Sequence, residues 1–127
     1  MRLALIGYGN VGKAFARLIQ DKYAQYPFKI VAIRTARHGA AFDQRGLPVE
    51  PAFDLQWTPE STSIDDFLDR ARPEIVVELT TLNPATGEPA LSHIRAAFAR
   101  GLHVVTANKG PIAHAYASLR EEARLAG

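Results

Sequence analysis

The run Leu3–Ile6 followed by "GYGNVG" constrains the fold of this chain more than any other feature. A short apolar run closed by glycine reads as a buried strand. From Asn10 an apolar stripe at Val11, Ala14, Phe15, Leu18 and Ile19 has the period of a helix, and Pro27 limits it. Gly7, Gly9 and Gly12 therefore stand in G-x-G-x-x-G spacing between a strand and a helix, the context that makes the spacing specific. Gly7 is expected to permit the tight turn, Gly9 to let the backbone approach a pyrophosphate, and Gly12 to let the helix pack closely on the strand. The N–H groups of Asn10 and Val11 then face phosphates, helped by the helix dipole. The implied ligand is a dinucleotide.

The remaining chain repeats the alternation. "FKIVAIR" (28–34) reads as a second strand, and "EIVVEL" (74–79) and "LHVVT" (102–106) as two more, with Val104 and Val105 ending a buried one. Ser61 or Ser63 caps a short helix through Ile64, Phe67, Leu68 and Ala71, stopped before Pro73. Pro89 opens another helix with Leu91, Ile94, Ala97 and Phe98 inward, and Gly101 suits a left-handed cap beyond it. Residues 111–126 form the last helix. The stretch 38–57 has two glycines, two prolines and no sustained period; it reads as a long loop in which "AFDLQW" hides at most a short strand. Strands alternating with helices predict an α/β fold: a Rossmann-type doubly wound parallel sheet, one three-layer domain over residues 1–127.

The second strand ends in "IRTARHG". A carboxylate is usual there, where it holds the adenosine ribose hydroxyls. Here Arg34 and Arg37 offer guanidinium groups instead, which repel nothing on a ribose 2′-phosphate and bind it through paired hydrogen bonds. NADP is expected as cofactor, with NAD possible as the second choice.

Composition narrows the function classes. A formal charge of +2 in 127 residues, without a basic–aromatic cluster, excludes nucleic acid as the expected partner. There are no cysteines, so disulfides and thiolate metal sites are excluded, and a reducing, cytoplasmic setting is expected. The four histidines (38, 93, 103 and 114) are widely spaced, expected at the surface or as caps, and no metal site is expected. The apolar run before Gly7 is too short for a membrane span or a signal peptide, so no membrane is expected.

In an open parallel sheet the ligand lies at the carboxyl ends of the strands, at the point where strand order reverses. "TTLNPATGEP" (80–89) and "TANKGP" (106–111) converge on that edge. Asn108 either caps the last helix or contacts the cofactor. Lys109 is a cation at a helix N-terminus, where it opposes the dipole, in a chain with eleven arginines and only four lysines. Glu78, at a strand end near the site, reads as a hydrogen-bonded structural carboxylate rather than a catalytic one.

"GYGNVGKAFARLI" and "VVELTTLNPATGEPALSHIRAAFARGLHVVTANKGPIA" closely resemble the nucleotide-binding domain of homoserine dehydrogenase. The resemblance covers nearly the whole chain and is weakest across 38–60. It implies that Lys109 lines the active site as the catalytic lysine near the reacting hydroxyl, and that Thr80 and Thr81 line the nicotinamide ribose region. It also implies an oxidoreductase of amino-acid biosynthesis (threonine and methionine) that interconverts aspartate semialdehyde and homoserine. Enzymes of that family carry a further dimerisation and catalytic region, so this chain is expected to supply one wall of the site and to act on homoserine only with that region. A related amino-acid dehydrogenase and a free-standing nucleotide-binding module are the alternatives. The outer edge of the strand at 104–106 is expected to be unpaired and to make the chain a homo-oligomer.

Overall fold

The computed structural model describes residues 1–48, 55–58 and 62–127. It contains β1 (Arg2–Ile6), α1 (Asn10–Asp21), β2 (Lys29–Thr35), β3 (Gly39–Phe42), α2 (Ile64–Ala71), β4 (Ile75–Glu78), α3 (Ala90–Phe98), β5 (His103–Thr106) and α4 (Lys109–Ala126). The sheet order is β3-β2-β1-β4-β5. β1 pairs in parallel with both β2 and β4, β5 pairs in parallel with β4, and β3 runs antiparallel to β2.

Two apolar layers sandwich this sheet. On one face α1 sets Phe15, Ala16 and Ile19 against Leu3, Leu5, Ile30 and Ile33. On the other, Phe67 and Leu68 of α2 and Ala97 of α3 meet Ala4, Ile6 and Val76. The alternation along β1 thus sends Leu3 and Leu5 one way and Ala4 and Ile6 the other, as a strand buried on both faces requires. α4 lies beside α3, tied by Arg95 to Glu122 at 3.1 Å. This is the expected Rossmann-type α/β architecture.

Local chemistry sets the element ends. Ser63 Oγ accepts from the Asp66 N–H at 3.0 Å and caps α2. Arg72 leaves the helix at φ +46°, directly before Pro73, whose ring disfavours helical backbone in the preceding residue. Ser61, the other candidate cap, and residues 52–54 of "AFDLQW" lie outside the described residues.

Three expectations need correction. The stretch from 38 holds the four-residue strand β3, which turns back on β2 through Ala36–His38. Its two buried residues are alanines, Ala40 and Ala41, too small to register as a strand pattern. The buried face of α1 is Gly12, Phe15, Ala16 and Ile19, one step around from the expected stripe, and Val11 and Leu18 are more than half exposed. Val105 is 57% exposed: it lies on the α1 side of edge strand β5, while α1 packs over β1 and β2.

Candidate functional site

The backbone between β1 and α1 is held from both sides. The Gly7 N–H donates to Arg34 O at 2.8 Å, and the Leu79 N–H donates to Ile6 O at 2.7 Å. Gly7 has φ +99°, and a Cβ there would stand 2.6 Å from Leu79 O, so both its conformation and its surroundings demand glycine. A Cβ on Gly12 would stand 2.9 Å from Gly7 O. Gly9 differs from both: a Cβ there meets nothing within 4 Å. Its smallness serves no contact among the described residues, and the open space lies at the start of α1. No side chain caps that helix, and its first turn carries no acidic residue. The N–H groups of its first turn, Asn10 and Val11 among them, have no acceptor within the helix.

A groove of about 480 Å³ opens beside this loop. It brings together Gly7, Gly9, Arg34, Thr80 and Thr81, with Pro89 and His93 in its wall. A neighbouring hollow of about 260 Å³ continues it past Val11 and Thr80 to Asn108 and Lys109. Most of the expected site residues thus line one continuous edge of the sheet. Gly12 is buried beneath the loop, Asn10 begins α1, and Arg37 sits at the exposed tip of the β2–β3 turn; none of these three lines either hollow.

Arg34 is half-buried, and its Nε donates to Thr62 O at 3.1 Å, so its guanidinium is oriented by the segment leading into α2. Burial draws its pKa down from the ordinary arginine value, yet a guanidinium stays charged at any working pH. The described residues at the end of β2 present Arg34, Thr35, Arg37 and His38 and no carboxylate.

The far end is built from two interlocked loops. Asn108 is buried and caps α4, its Oδ1 accepting from the Gly110 N–H at 3.0 Å. Its Nδ2 donates to Thr80 O at 3.1 Å, joining the loop after β5 to the loop after β4. Both of its side-chain atoms are engaged inside the protein. Gly87 and Gly110 bring the two loops into backbone contact, where a Cβ on Gly110 would stand 3.0 Å from Gly87 Cα. Lys109 follows as the first residue of α4 and is exposed.

Beneath Thr80 lies a pair that sequence reasoning half missed. Glu78 is fully buried, and His93 of α3, expected at the surface, is 5% exposed with its Nδ1 3.6 Å from Glu78 Oε1. Burial opposes ionisation of Glu78, but the nearby His93 imidazole and hydrogen bonds from Thr80 outweigh it and hold the carboxyl below its ordinary value. A signal for His93 was present: Ala90, His93, Ile94 and Ala97 follow the spacing of one helix face. Among the described residues no group of three or more His, Cys, Asp or Glu is placed to hold a metal ion, and no helix is long and apolar enough to cross a membrane.

Residues 7–127 match the family described as "Homoserine dehydrogenase, NAD binding domain". The whole chain aligns at 37% identity with a homoserine dehydrogenase of Methanocaldococcus jannaschii, covering 42% of that protein. An NAD(+)-dependent homoserine dehydrogenase of Pseudomonas canavaninivorans is 36% identical over 97% of the chain, which covers 40% of the relative. The crystal structure of homoserine dehydrogenase from Thermoplasma acidophilum superimposes with a TM-score of 0.81 at 25% identity, over 99% of this chain and 40% of that one. The chain spans about two fifths of the length of the curated relatives it matches.

Proposed function

The chain belongs to the homoserine dehydrogenase family, spanning the family's NAD-binding domain, and on that premise we propose that its carboxyl-edge groove holds the nicotinamide dinucleotide used to interconvert L-homoserine and L-aspartate 4-semialdehyde. The observation that carries this reading is the glycine loop. Gly7 and Gly12 are glycines because the protein crowds them, whereas Gly9 faces open space at an uncapped helix N-terminus. A pyrophosphate fits that opening, with the N–H groups of Asn10 and Val11 as donors. Thr80 and Thr81 then border the middle of the ligand, and Asn108 fixes the turn that presents Lys109 at its far end. The dinucleotide supplies the hydride acceptor and donor; Lys109 supplies a positive charge for the reacting oxygen of the substrate.

Cofactor choice follows from the end of β2. With two arginines there and no carboxylate, NADP is favoured and NAD accepted more weakly. One charge-assisted contact is worth about 1.5–3 kcal/mol, or about ten- to a hundred-fold in affinity. Calorimetric titration with both cofactors is expected to show that preference, and an Arg34→Ala, Arg37→Ala double variant is expected to lose it. Equal affinities in the unsubstituted chain overturn the assignment.

Two further proposals concern the setting. The absence of cysteine fits a cytoplasmic protein. The outer edge of β5, unpaired among the described residues and carrying the exposed Val105, favours self-association into a homo-oligomer. Sedimentation at high protein concentration is expected to show dimers or larger species, and a strict monomer contradicts this.

A further inference from the structure

Under the meeting point of the two hollows, hydrogen bonds close into a ring. Strand register pairs Glu78 with Ile6 on one side and Thr106 on the other, so its side chain shares their α2–α3 face of the sheet. Glu78 Oε1 accepts from the Thr80 N–H at 3.1 Å and from the Thr80 hydroxyl. Glu78 Oε2 accepts from the Thr106 hydroxyl at 3.2 Å. Thr106 Oγ1 in turn accepts from the Asn108 N–H at 3.0 Å. Asn108 returns to Thr80 through the bond from its Nδ2 to Thr80 O.

The polarity of this ring is set by Glu78. An ionised carboxylate only accepts, so each hydroxyl that bonds to it must spend its single proton inward. Thr106 then has a lone pair for the Asn108 N–H, as observed. Thr80 is left with lone pairs alone, and Thr80 lines both hollows. His93, whose Nδ1 has no hydrogen-bond partner within the usual distance, faces the same carboxylate from α3.

We propose that Glu78 is a positioning residue for the nicotinamide half of the ligand. It turns the Thr80 hydroxyl into a pure acceptor toward the groove, suited to O–H and N–H donors such as those of a ribose or a carboxamide. It also holds Asn108, and with it Lys109, against the loop after β4. The inference rests on the dinucleotide reading of the groove, and it concerns only the end away from the adenosine. A carboxylate that merely supports the fold would affect both halves of the ligand alike.

The test compares two ligands on the same 127-residue chain: NADPH, and adenosine 2′,5′-bisphosphate, which carries only the adenosine half. Glu78→Leu removes both acceptors, so the Thr80 hydroxyl is free to turn its proton toward the groove. It is expected to weaken NADPH by about ten-fold or more, with the bisphosphate changed by less than about two-fold. Thr80→Val is expected to reproduce that loss, Thr80→Ser to restore near-normal binding, and the Glu78→Leu, Thr80→Val double variant to lose little more than either alone. If Glu78→Leu does not fold, the Thr80 pair decides by the same criterion. Unchanged NADPH affinity in Thr80→Val, or equal losses for both ligands, overturns the proposal while leaving the dinucleotide reading intact. An unsubstituted chain that binds neither ligand overturns both.

Discussion

Mixed with NADP and homoserine, the 127-residue chain is expected to bind the cofactor and to produce no detectable NADPH. Around Lys109, the described residues Thr80, Leu82, Asn108 and the start of α4 line a hollow, and the two loops are occupied in bonding to each other. Hydride transfer needs the alcohol carbon held against the nicotinamide ring, and orienting homoserine calls for partners for its ammonium and carboxylate groups. Such positioning is worth about 7–11 kcal/mol of barrier where it is fully realised. At about 1.36 kcal/mol per decade of rate, losing most of it slows turnover by five orders of magnitude or more, by rough count. Absorbance in the nicotinamide band of NADPH is the readout. Turnover by this chain alone, abolished by Lys109→Ala, would contradict the account, because it would require a substrate-orienting site within these residues.

Gly9→Val is expected to lower dinucleotide affinity by about a hundred-fold or more while leaving the fold intact. Gly9 has a negative φ, −83°, with ψ −155°, so a side chain there needs no left-handed backbone, and its Cβ would meet none of the described residues. The branched side chain instead fills the space where the phosphates approach. Gly7→Ala is the informative contrast. Its φ of +99° and the 2.6 Å approach to Leu79 O penalise any side chain in the folded state. Left-handed backbone alone costs a non-glycine residue about 1–2 kcal/mol, and the clash adds to it. Circular dichroism and thermal melting separate the two variants: Gly9→Val melts as the unsubstituted chain does, and Gly7→Ala melts earlier. Retained binding in Gly9→Val would mean that the phosphates lie elsewhere.

The elements that sequence reasoning located well are those with strong local signals. The apolar run to Gly7, the Ser63 cap with Pro73 beyond it, and the "VVT" strand each carry their own boundary. The misplaced faces have a common cause. In α1 the buried face includes Gly12, pressed against Gly7 in the loop after β1; glycine adds nothing to an apolar count, so that count selects Val11 and Leu18 instead. In α3 the true face includes His93, whose polarity hid it even though its spacing was right. Neither residue is paired with a neighbour in sequence: Gly12 answers to Gly7 O across a turn, and His93 to Glu78 on another element. β3 was invisible for a different reason, since two alanines opposite β2 are buried by the tertiary structure rather than by any pattern of their own. For the candidate site, "GYGNVG" and "TANKGP" both lead to the carboxyl edge of the sheet, where their residues border two neighbouring hollows. The ring through Glu78, Thr106 and Asn108 needed the register of β4 and β5 to be seen.

Whether a nicotinamide dinucleotide lies along the carboxyl edge of the sheet, from the glycine loop to Lys109, is tested most directly by backbone amide shifts followed residue by residue during an NADPH titration. The largest shifts are expected at Gly9, Asn10 and Val11, with further shifts at Thr80, Thr81 and Lys109. A separate hollow of about 460 Å³, lined by Ile19, Tyr23, Phe28 and Leu47 near the amino end of β2, is expected to stay silent. Shifts concentrated in that hollow, with none in the glycine loop, would contradict the account.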